Sequence, residues 1–225
     1  MKIVLAYIYE LPAIVKKHMI KKTLILSILF IINCYSQNDK FDVSHGISII
    51  ALDTLDGKIQ EIKYENCRFV SFPIKYSQKI YGTKKTYFIP DSLTVSYINE
   101  NISKQYCFTS HRFMENFYKE ILNDDGYDKK ALRKSYKEFK KNDLKNCQKY
   151  ENDINVFDKQ LIGYINDNGE KIILIQMIDF REDPYKLKSF FEKSWISGWH
   201  GWFETNIRRL HFHLKNNKFT INEEI

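Results

Sequence analysis

Proline and glycine are scarce in this chain, with four and eight residues among 225. This scarcity excludes a collagen-like repeat and argues against long flexible linkers. The sequence also lacks a GxSxG nucleophile elbow, an HExxH metal motif, a phosphate-binding glycine loop and a CxxC pair. No familiar catalytic class is indicated, so the sequence leans towards a protein that is not an enzyme.

An apolar run long enough to cross a membrane is missing near the N-terminus. The run TLILSILFII, Thr23–Ile32, has ten residues, and as a helix it would cover about 15 Å of a hydrocarbon core about 30 Å thick. Lysines precede it, and Ser36 follows just before Gln37. This pattern is typical of a secretory signal peptide. A buried helix is the alternative, but the run is apolar on all its faces. Residues 1–36 are therefore predicted to be removed from a mature chain of residues 37–225.

Two cleavage reactions compete at the end of this segment. Signal peptidase would cut after Ser36, with Cys34 as the second small residue, and the mature chain would begin at Gln37. Lipoprotein peptidase would cut before Cys34 and leave its sulfur lipidated, although Asn33 stands where that motif has Gly, Ala or Ser. The first cut is favoured, which predicts a periplasmic or extracellular protein, with an outer-membrane lipoprotein as the alternative. Met19 begins a complete signal peptide by itself and is the expected true start.

Excess charge is also largely missing from the mature chain. It holds 30 Lys+Arg and 27 Asp+Glu, a net charge of +3, so a nucleic-acid partner is not expected. The expected partner is an unidentified ligand or an envelope protein. Membrane contact is expected only through the signal peptide or a lipid on Cys34, and no cofactor is indicated. The basic segment 129–145 could meet an acidic surface, but a solvated helix face is favoured.

Three cysteines remain after cleavage: Cys67, Cys107 and Cys147. In an oxidising compartment one pair could form a disulfide and leave one thiol over. The sequence does not say which pair would form, and burial of all three as small apolar groups is the alternative.

Periodicity predicts strands at both ends of the mature chain and helices between them. Gly46–Asp53 and Lys58–Tyr64 are predicted to pair as strands across the Asp56-Gly57 turn. The predicted helices are one that opens at Asp91 or Ser92, a second over Phe113–Leu122, a lysine-rich third that opens at Asp128, and a short one after Pro184 that runs to Trp195.

The strongest local pattern is QLIGYINDNGEKIILIQMIDF, residues 160–180. Asn168-Gly169 predicts a type I′ turn between strands Leu161–Asn166 and Lys171–Phe180. The second strand is apolar at nearly every residue, as in a central strand covered on both faces. Arg208–Leu214 alternates, and Lys218–Asn222 returns beside it. The predicted fold class is α+β: one domain over residues 37–225, with an antiparallel sheet that includes the C-terminal strands and two or three helices packed on one face.

Three features accompany the hairpin segment QLIGYINDNGEKII. They are the predicted signal peptide that ends in Ser-Gln, the Phe88-Ile89-Pro90 entry to a helix, and the aromatic-rich lead Trp199–Phe203 before the final strand pair. In these features the chain resembles a family of uncharacterised exported proteins from Bacteroidota. The resemblance implies export to a bacterial envelope, and it carries over neither an activity nor a catalytic residue.

Two groups of side chains are candidates for a site. Trp195, Trp199 and Trp202 could form an aromatic platform for a sugar or peptide, or they could fill the space between the last helix and the sheet.

The second group contains His211 and His213, which are two residues apart and leave the same strand face. With His200 nearby in sequence, the three imidazoles could hold zinc with an open fourth position. The alternative is a polar sheet face that also carries Arg209. The function we expect is a non-enzymatic binding or envelope-associated domain that is exported, and the alternative is a small metal-dependent hydrolase that uses the histidines.

Overall fold

The computed structural model describes residues 39–42, 47–123, 128–148, 151–198 and 201–221. The predicted signal peptide, its cleavage sites and Met19 lie outside these residues. The chain divides into two compact units, residues 1–41 and 42–225, and the first is described only at its end, in strand β1. All other described elements belong to the second unit.

The described residues form ten strands and five α-helices. The strands are β1 (Asp39–Asp42), β2 (Ile47–Ala51), β3 (Gln60–Lys63), β4 (Arg68–Ser71), β5 (Thr86–Phe88), β6 (Asp158–Ile165), β7 (Lys171–Ile178), β8 (Ser194–Ser197), β9 (Ile207–His213) and β10 (Lys218–Thr220). The helices are α1 (Ile74–Tyr81), α2 (Ser92–Asn123), α3 (Lys129–Gln148), α4 (Glu151–Val156) and α5 (Trp202–Asn206), with 3₁₀ turns at Thr54–Asp56 and Leu187–Phe190. No described helix is both long enough and apolar enough to cross a membrane.

The main sheet has the strand order β10-β9-β7-β6-β4-β3. One edge of β6 is shared, because β4 pairs with its first half in parallel and β5 with its second half in antiparallel. The β5 pairing requires Gly163, since a Cβ there would lie 2.5 Å from the carbonyl oxygen of Phe88. The C-terminal strands β6, β7, β9 and β10 are consecutive in the sheet, as predicted.

Both faces of the sheet are buried. This explains why the sequence of strand β7 is almost wholly apolar. Ile173, Ile175 and Met177 point into one core, which α2 and α4 cover with residues such as Val95 and Ile98. Ile172, Leu174 and Ile178 point into a second core, which α1 and β8 help to cover. The long helix lies on one face, and the α+β class is confirmed.

A small second layer lies over the other face, where β2 pairs antiparallel with β8. The outer edge of β8 is closed by side chains rather than by a strand. The N–H of Ile196 donates to Gln160 Oε1 at 3.1 Å, and its carbonyl accepts from Gln176 Nε2 at 2.6 Å. These two glutamines are fully buried and join the layer to the sheet.

Several predicted elements are present, but they pair or end differently from the prediction. The strands predicted at Gly46–Asp53 and Lys58–Tyr64 form as β2 and β3, but β3 pairs with β4. The helix predicted to reach Trp195 is wrong beyond Phe190, because strand β8 begins at Ser194. Two predicted helices form the single 32-residue helix α2, and Asp91 caps its start by accepting from Thr94 N at 2.7 Å.

The β6–β7 hairpin is confirmed, but its turn differs from the predicted type I′. Gly169 N donates to Asn166 O at 2.9 Å, and only Gly169 in the turn has a positive φ, of 76°. The loop therefore contains three residues, 167–169, with glycine in the left-handed position that such loops favour.

Candidate ligand-binding cleft

The N-terminal half of helix α2 packs against the sheet, and its C-terminal half does not. Its buried residues run from Val95 to Cys107, and the rest of the helix is exposed or half-buried. At the last buried residue of α2, a disulfide joins Cys107 to Cys147 of α3. We call residues 108–123 of α2 together with α3 the helical arm.

Aromatic contacts hold the two helices of the arm together. The His111 ring stacks on Phe139 at 4.8 Å between centroids, and Tyr118 stacks on Tyr136 at 5.4 Å. His111 Nδ1 also lies 2.9 Å from Asp143 Oδ2. The stacking places the rings of Tyr136 and Phe139 against α2.

A cleft of about 320 Å³ lies where the arm leaves the sheet. A larger cavity of about 580 Å³ shares three of its lining residues: Tyr106, Ser110 and Arg208. The cleft of about 320 Å³ is polar. Besides the three shared residues, Asp143, Asp153, Asp179 and Arg181 line it. The second cavity is largely apolar, with Phe113, Met114, Phe203, Ile207 and Ile221 in its walls, and it also has Glu204 and Arg209 at its lining. The shared residues thus stand between a polar half and an apolar half.

The carboxylates of the polar half are engaged in ion pairs. Arg181 Nη2 lies 2.7 Å from Asp179 Oδ2, and its Nη1 lies 3.3 Å from Asp153 Oδ1. Burial acts to raise the pKa of Asp179, but the hydrogen bonds and charge of Arg181 prevail, and the pKa lies below its usual value. The hydrogen bonds to Asp179 raise the pKa of Arg181 in turn. The third carboxylate, Asp143, is paired with His111.

Arg208 differs from Arg181 because main-chain oxygens hold it. Its Nη1 donates to the carbonyls of Glu204 at 2.9 Å and Ile207 at 3.0 Å. Among the described residues, no carboxylate forms an ion pair with it. Its neighbour Tyr106 has a pKa raised by burial, so the Tyr106 hydroxyl stays protonated at neutral pH. The boundary between the halves therefore offers a fixed cation beside a hydroxyl donor.

The two described tryptophans of the predicted platform, Trp195 and Trp202, do not line this cleft. Trp195 is 3 % exposed and packs edge-on against Phe72 and Tyr81. Trp202 is half-buried, stacks on Phe180 and donates its indole N–H to the Glu182 carbonyl. Trp199 lies outside the described residues. Trp195 belongs to one of the two cores, and Trp202 packs against that core.

The predicted histidine cluster is described only in part. His211 and His213 do leave the same face of β9, opposite Leu210 and Phe212. His211 is buried edge-on against Tyr164, at 6.3 Å between centroids, and His213 Nε2 lies 3.0 Å from Thr220 Oγ1. His200 lies outside the described residues. In the part of the chain that is described, no three His, Cys, Asp or Glu side chains gather as metal ligands.

Arg208 could have been noticed in the sequence. It shares the period-two face of Leu210, Phe212 and Leu214, and a cation on an otherwise apolar face needs a special environment. Nothing local in the sequence shows that Tyr106 and Arg208 meet, since they come from distant elements. No protein family model, no curated protein and no solved structure matches the chain.

Proposed function

We propose that the mature chain is an exported, non-enzymatic binding domain and that its ligand is a small amphipathic organic anion. The anionic group binds Arg208, and the apolar body lies against the Phe113 side of the cleft. The observation that carries this proposal is the position of Arg208, which lies between a polar and an apolar cavity and forms no ion pair among the described residues.

The disulfide supports the exported location. Stable disulfides form in the periplasm and outside the cell and are rare in the cytosol. The Cys107–Cys147 bond closes a loop with a sequence separation of 40, and Cys67 remains a buried thiol. This agrees with a signal peptide in residues 1–36, with the Gln37 start favoured over a lipid on Cys34.

The charges in the cleft favour an anion over a cation. Each carboxylate of the polar half already faces a cation or a histidine: Asp153 and Asp179 face Arg181, and Asp143 faces His111. Arg208 forms no ion pair among the described residues, although its charge helps to lower the pKa of Asp179. Arg209, in the wall of the other half, already donates to Gln176 Oε1 at 2.8 Å. We therefore assign the anionic group of the ligand to Arg208. A guanidinium donates strong, paired hydrogen bonds to carboxylate or phosphate oxygens, and partial burial strengthens them.

The apolar half sets the second requirement on the ligand. Phe113 and Met114 come from α2, and Phe203 comes from α5. Binding sites commonly combine such apolar walls with a few polar groups that fix orientation, and methionine adapts its shape to different ligands. A purely inorganic anion would leave these apolar walls in contact with water and would gain nothing from them.

The test uses three probes that separate the two requirements: octanoate, octan-1-ol and acetate. Titration calorimetry on residues 37–225 should show octanoate binding more tightly than either of the others. Arg208→Gln should weaken octanoate binding by about tenfold or more and leave octan-1-ol unchanged, since a hydrogen bond to a charged group contributes about 1.5–3 kcal/mol.

Arg112→Gln is the matched control, because Arg112 is an exposed arginine on α2 that lines neither of the two cavities. A second variant, Met114→Glu, places a carboxylate beside Phe113, where the alkyl chain is proposed to lie, and should abolish octanoate binding without touching Arg208. Equal octanoate affinity in wild type and Arg208→Gln, or equal losses in Arg208→Gln and Arg112→Gln, would refute the proposal.

A metal-dependent hydrolase built on His200, His211 and His213 stays a prediction. His200 lies outside the described residues, and no specific contact of the two described histidines favours this function over the binding domain.

A further inference from the structure

Helix α3 concentrates the positive charge of the mature chain. It contains eight Lys+Arg and two Asp+Glu, a net charge of +6. Because the mature chain as a whole has a net charge of +3, the remainder carries a net charge of −3. The protein is therefore electrically divided between a basic helix and an acidic body.

Seven of these cations form one face. At 100° per residue they fall within about 140° of the helix circumference, and all seven are exposed. We call them the basic face: Lys130, Arg133, Lys134, Lys137, Lys140, Lys141 and Lys145. This face is about 22 Å long at 1.5 Å per residue.

The acids of the helix do not neutralise the basic face. Glu138 lies just outside its sector, and Asp143 lies on the opposite side, where it pairs with His111 of α2 at 2.9 Å. The sequence had favoured an ordinary solvated face with interspersed acids, but no acid lies within the sector.

The contacts of the arm fix the direction in which the basic face points. Tyr136 and Phe139 stack on Tyr118 and His111 of α2, and the disulfide Cys107–Cys147 holds the base of the helix pair. Since α3 cannot roll without breaking these contacts, the basic face stays turned away from α2, except at its margin, where the charge of Lys140 acts on Glu115 of α2.

We propose that the basic face docks the protein on an anionic phospholipid surface. Six of its seven cations are lysines, which act as point charges, and no aromatic side chain lies in the sector to stack on a base. Nucleic-acid surfaces use arginine forks and aromatic stacking, whereas a layer of anionic headgroups attracts clustered lysines without fixed geometry. The acidic body is repelled by the same layer, so the arm points towards it.

This contact is additional to those expected from the sequence, which were limited to the signal peptide and a lipid on Cys34. It is independent of the ligand cleft, because no residue of the basic face lines either cavity.

Co-sedimentation with vesicles tests the proposal on residues 37–225. The protein should bind vesicles of phosphatidylcholine mixed with phosphatidylglycerol, should not bind pure phosphatidylcholine, and should be released by high salt. The quadruple variant Lys130→Gln, Lys134→Gln, Lys137→Gln and Lys141→Gln should bind about tenfold more weakly or worse. Glutamine has nearly the helix propensity of lysine, and a far-ultraviolet circular dichroism spectrum checks that α3 persists.

The matched control removes the same charge elsewhere, from four exposed lysines without ion pairs among the described residues: Lys58, Lys75, Lys84 and Lys188. This variant should keep its vesicle binding. Absence of binding to the mixed vesicles, equal binding to pure phosphatidylcholine, or equal losses in the two quadruple variants would each overturn the proposal. Tighter binding to RNA than to the mixed vesicles would overturn it in favour of a nucleic acid.

Discussion

Gln160 and Gln176 are buried polar residues that replace a strand partner. Gln160 Nε2 donates to the carbonyls of Phe191 and Ser194, and Gln176 Nε2 donates to Gln160 Oε1 and Ile196 O. Arg209 donates to Gln176 Oε1 at 2.8 Å. A buried network of this kind stabilises a fold only while each member is satisfied.

Gln176→Leu should therefore destabilise the protein although it adds apolar volume. It leaves the Ile196 carbonyl and Arg209 without their partner, and an unsatisfied buried group costs about 1–3 kcal/mol. Urea unfolding of the variant measures the loss. Gln60→Leu, on the exposed side of β3, is the control and should change stability little. A Gln176→Leu variant as stable as wild type would show that the network contributes nothing.

Asp179 should make stability depend on pH at the acid end of the range. Its folded pKa lies below the ordinary value of 3.8, so its contribution is fully present above that value and is lost as pH falls through the folded pKa. Asp179→Asn should lower the free energy of unfolding by about 1–2 kcal/mol at neutral pH, with the lower figure favoured because Arg181 is half exposed.

Urea unfolding at neutral pH and near pH 3 tests this expectation, because the gap between wild type and Asp179→Asn should narrow in acid. Asp167→Asn is the control, since Asp167 is 94 % exposed and lies 3.7 Å from Lys85, and it should show no gap. A gap that stays constant or widens in acid would contradict the assigned role of Asp179.

Side-chain direction was predictable at single residues, but contacts between distant residues were not. The alternation of Arg209, His211 and His213 against Leu210 and Phe212 follows from the period of a strand. The burial of His211 did not follow, because it depends on the layer that covers this face. The cleft was missed for the same reason: the sequence contains its residues, and only the tertiary fold brings them together.

Among the elements, the helical arm has the least support from a core. Helix α3 has no buried residue, so its stability must come from its contacts with α2 and from the disulfide. Most of the stability of a helix in a protein comes from such tertiary packing rather than from its own helix propensity.

Reduction of the Cys107–Cys147 disulfide should therefore destabilise the protein. A closed loop with a sequence separation of 40 implies a loss of about 2–4 kcal/mol. Urea midpoints with and without reductant measure it. The double variant Cys107→Ala, Cys147→Ala should be as unstable as the reduced protein and insensitive to reductant. If reductant lowers the midpoint of the double variant as much as that of wild type, the effect does not arise from this bond.

Element identity was more predictable than element pairing. The β6–β7 hairpin followed from Gly169 and two apolar runs, because a hairpin is a local structure. The pairing of β2 with β8 joins residues far apart in the chain, which no local turn specifies. A helix was predicted up to Trp195 because Leu187, Phe190 and Phe191 suit a helical period, but Gln160 and Gln176 offer β8 the edge partners that a strand needs.

For the whole molecule, the proposed export makes a definite prediction about the mature N-terminus. Produced with its leader in a bacterium that has a periplasm, the protein should be recovered from that compartment with Gln37 as its first residue. Intact-mass measurement and N-terminal sequencing decide this. A cytosolic product that keeps residues 1–36 would contradict export, and a diacylglyceryl mass on Cys34 would replace the free form by the lipoprotein.

The two proposals divide the molecule between a body that binds a ligand and an arm that binds a surface. The cleft lies at the base of the arm, with Asp143 of α3 in its wall, so a protein docked by the basic face would hold the cleft close to the membrane. Small amphipathic anions partition to such interfaces, since their apolar part leaves water and their charge stays in it.

The most direct test of the ligand-binding proposal is a crystal structure of residues 37–225 with octanoate. The binding proposal requires the carboxylate within hydrogen-bond distance of the Arg208 guanidinium and the alkyl chain against Phe113 and Met114. Octanoate bound elsewhere, or a cleft that holds only water at saturating octanoate, would contradict it.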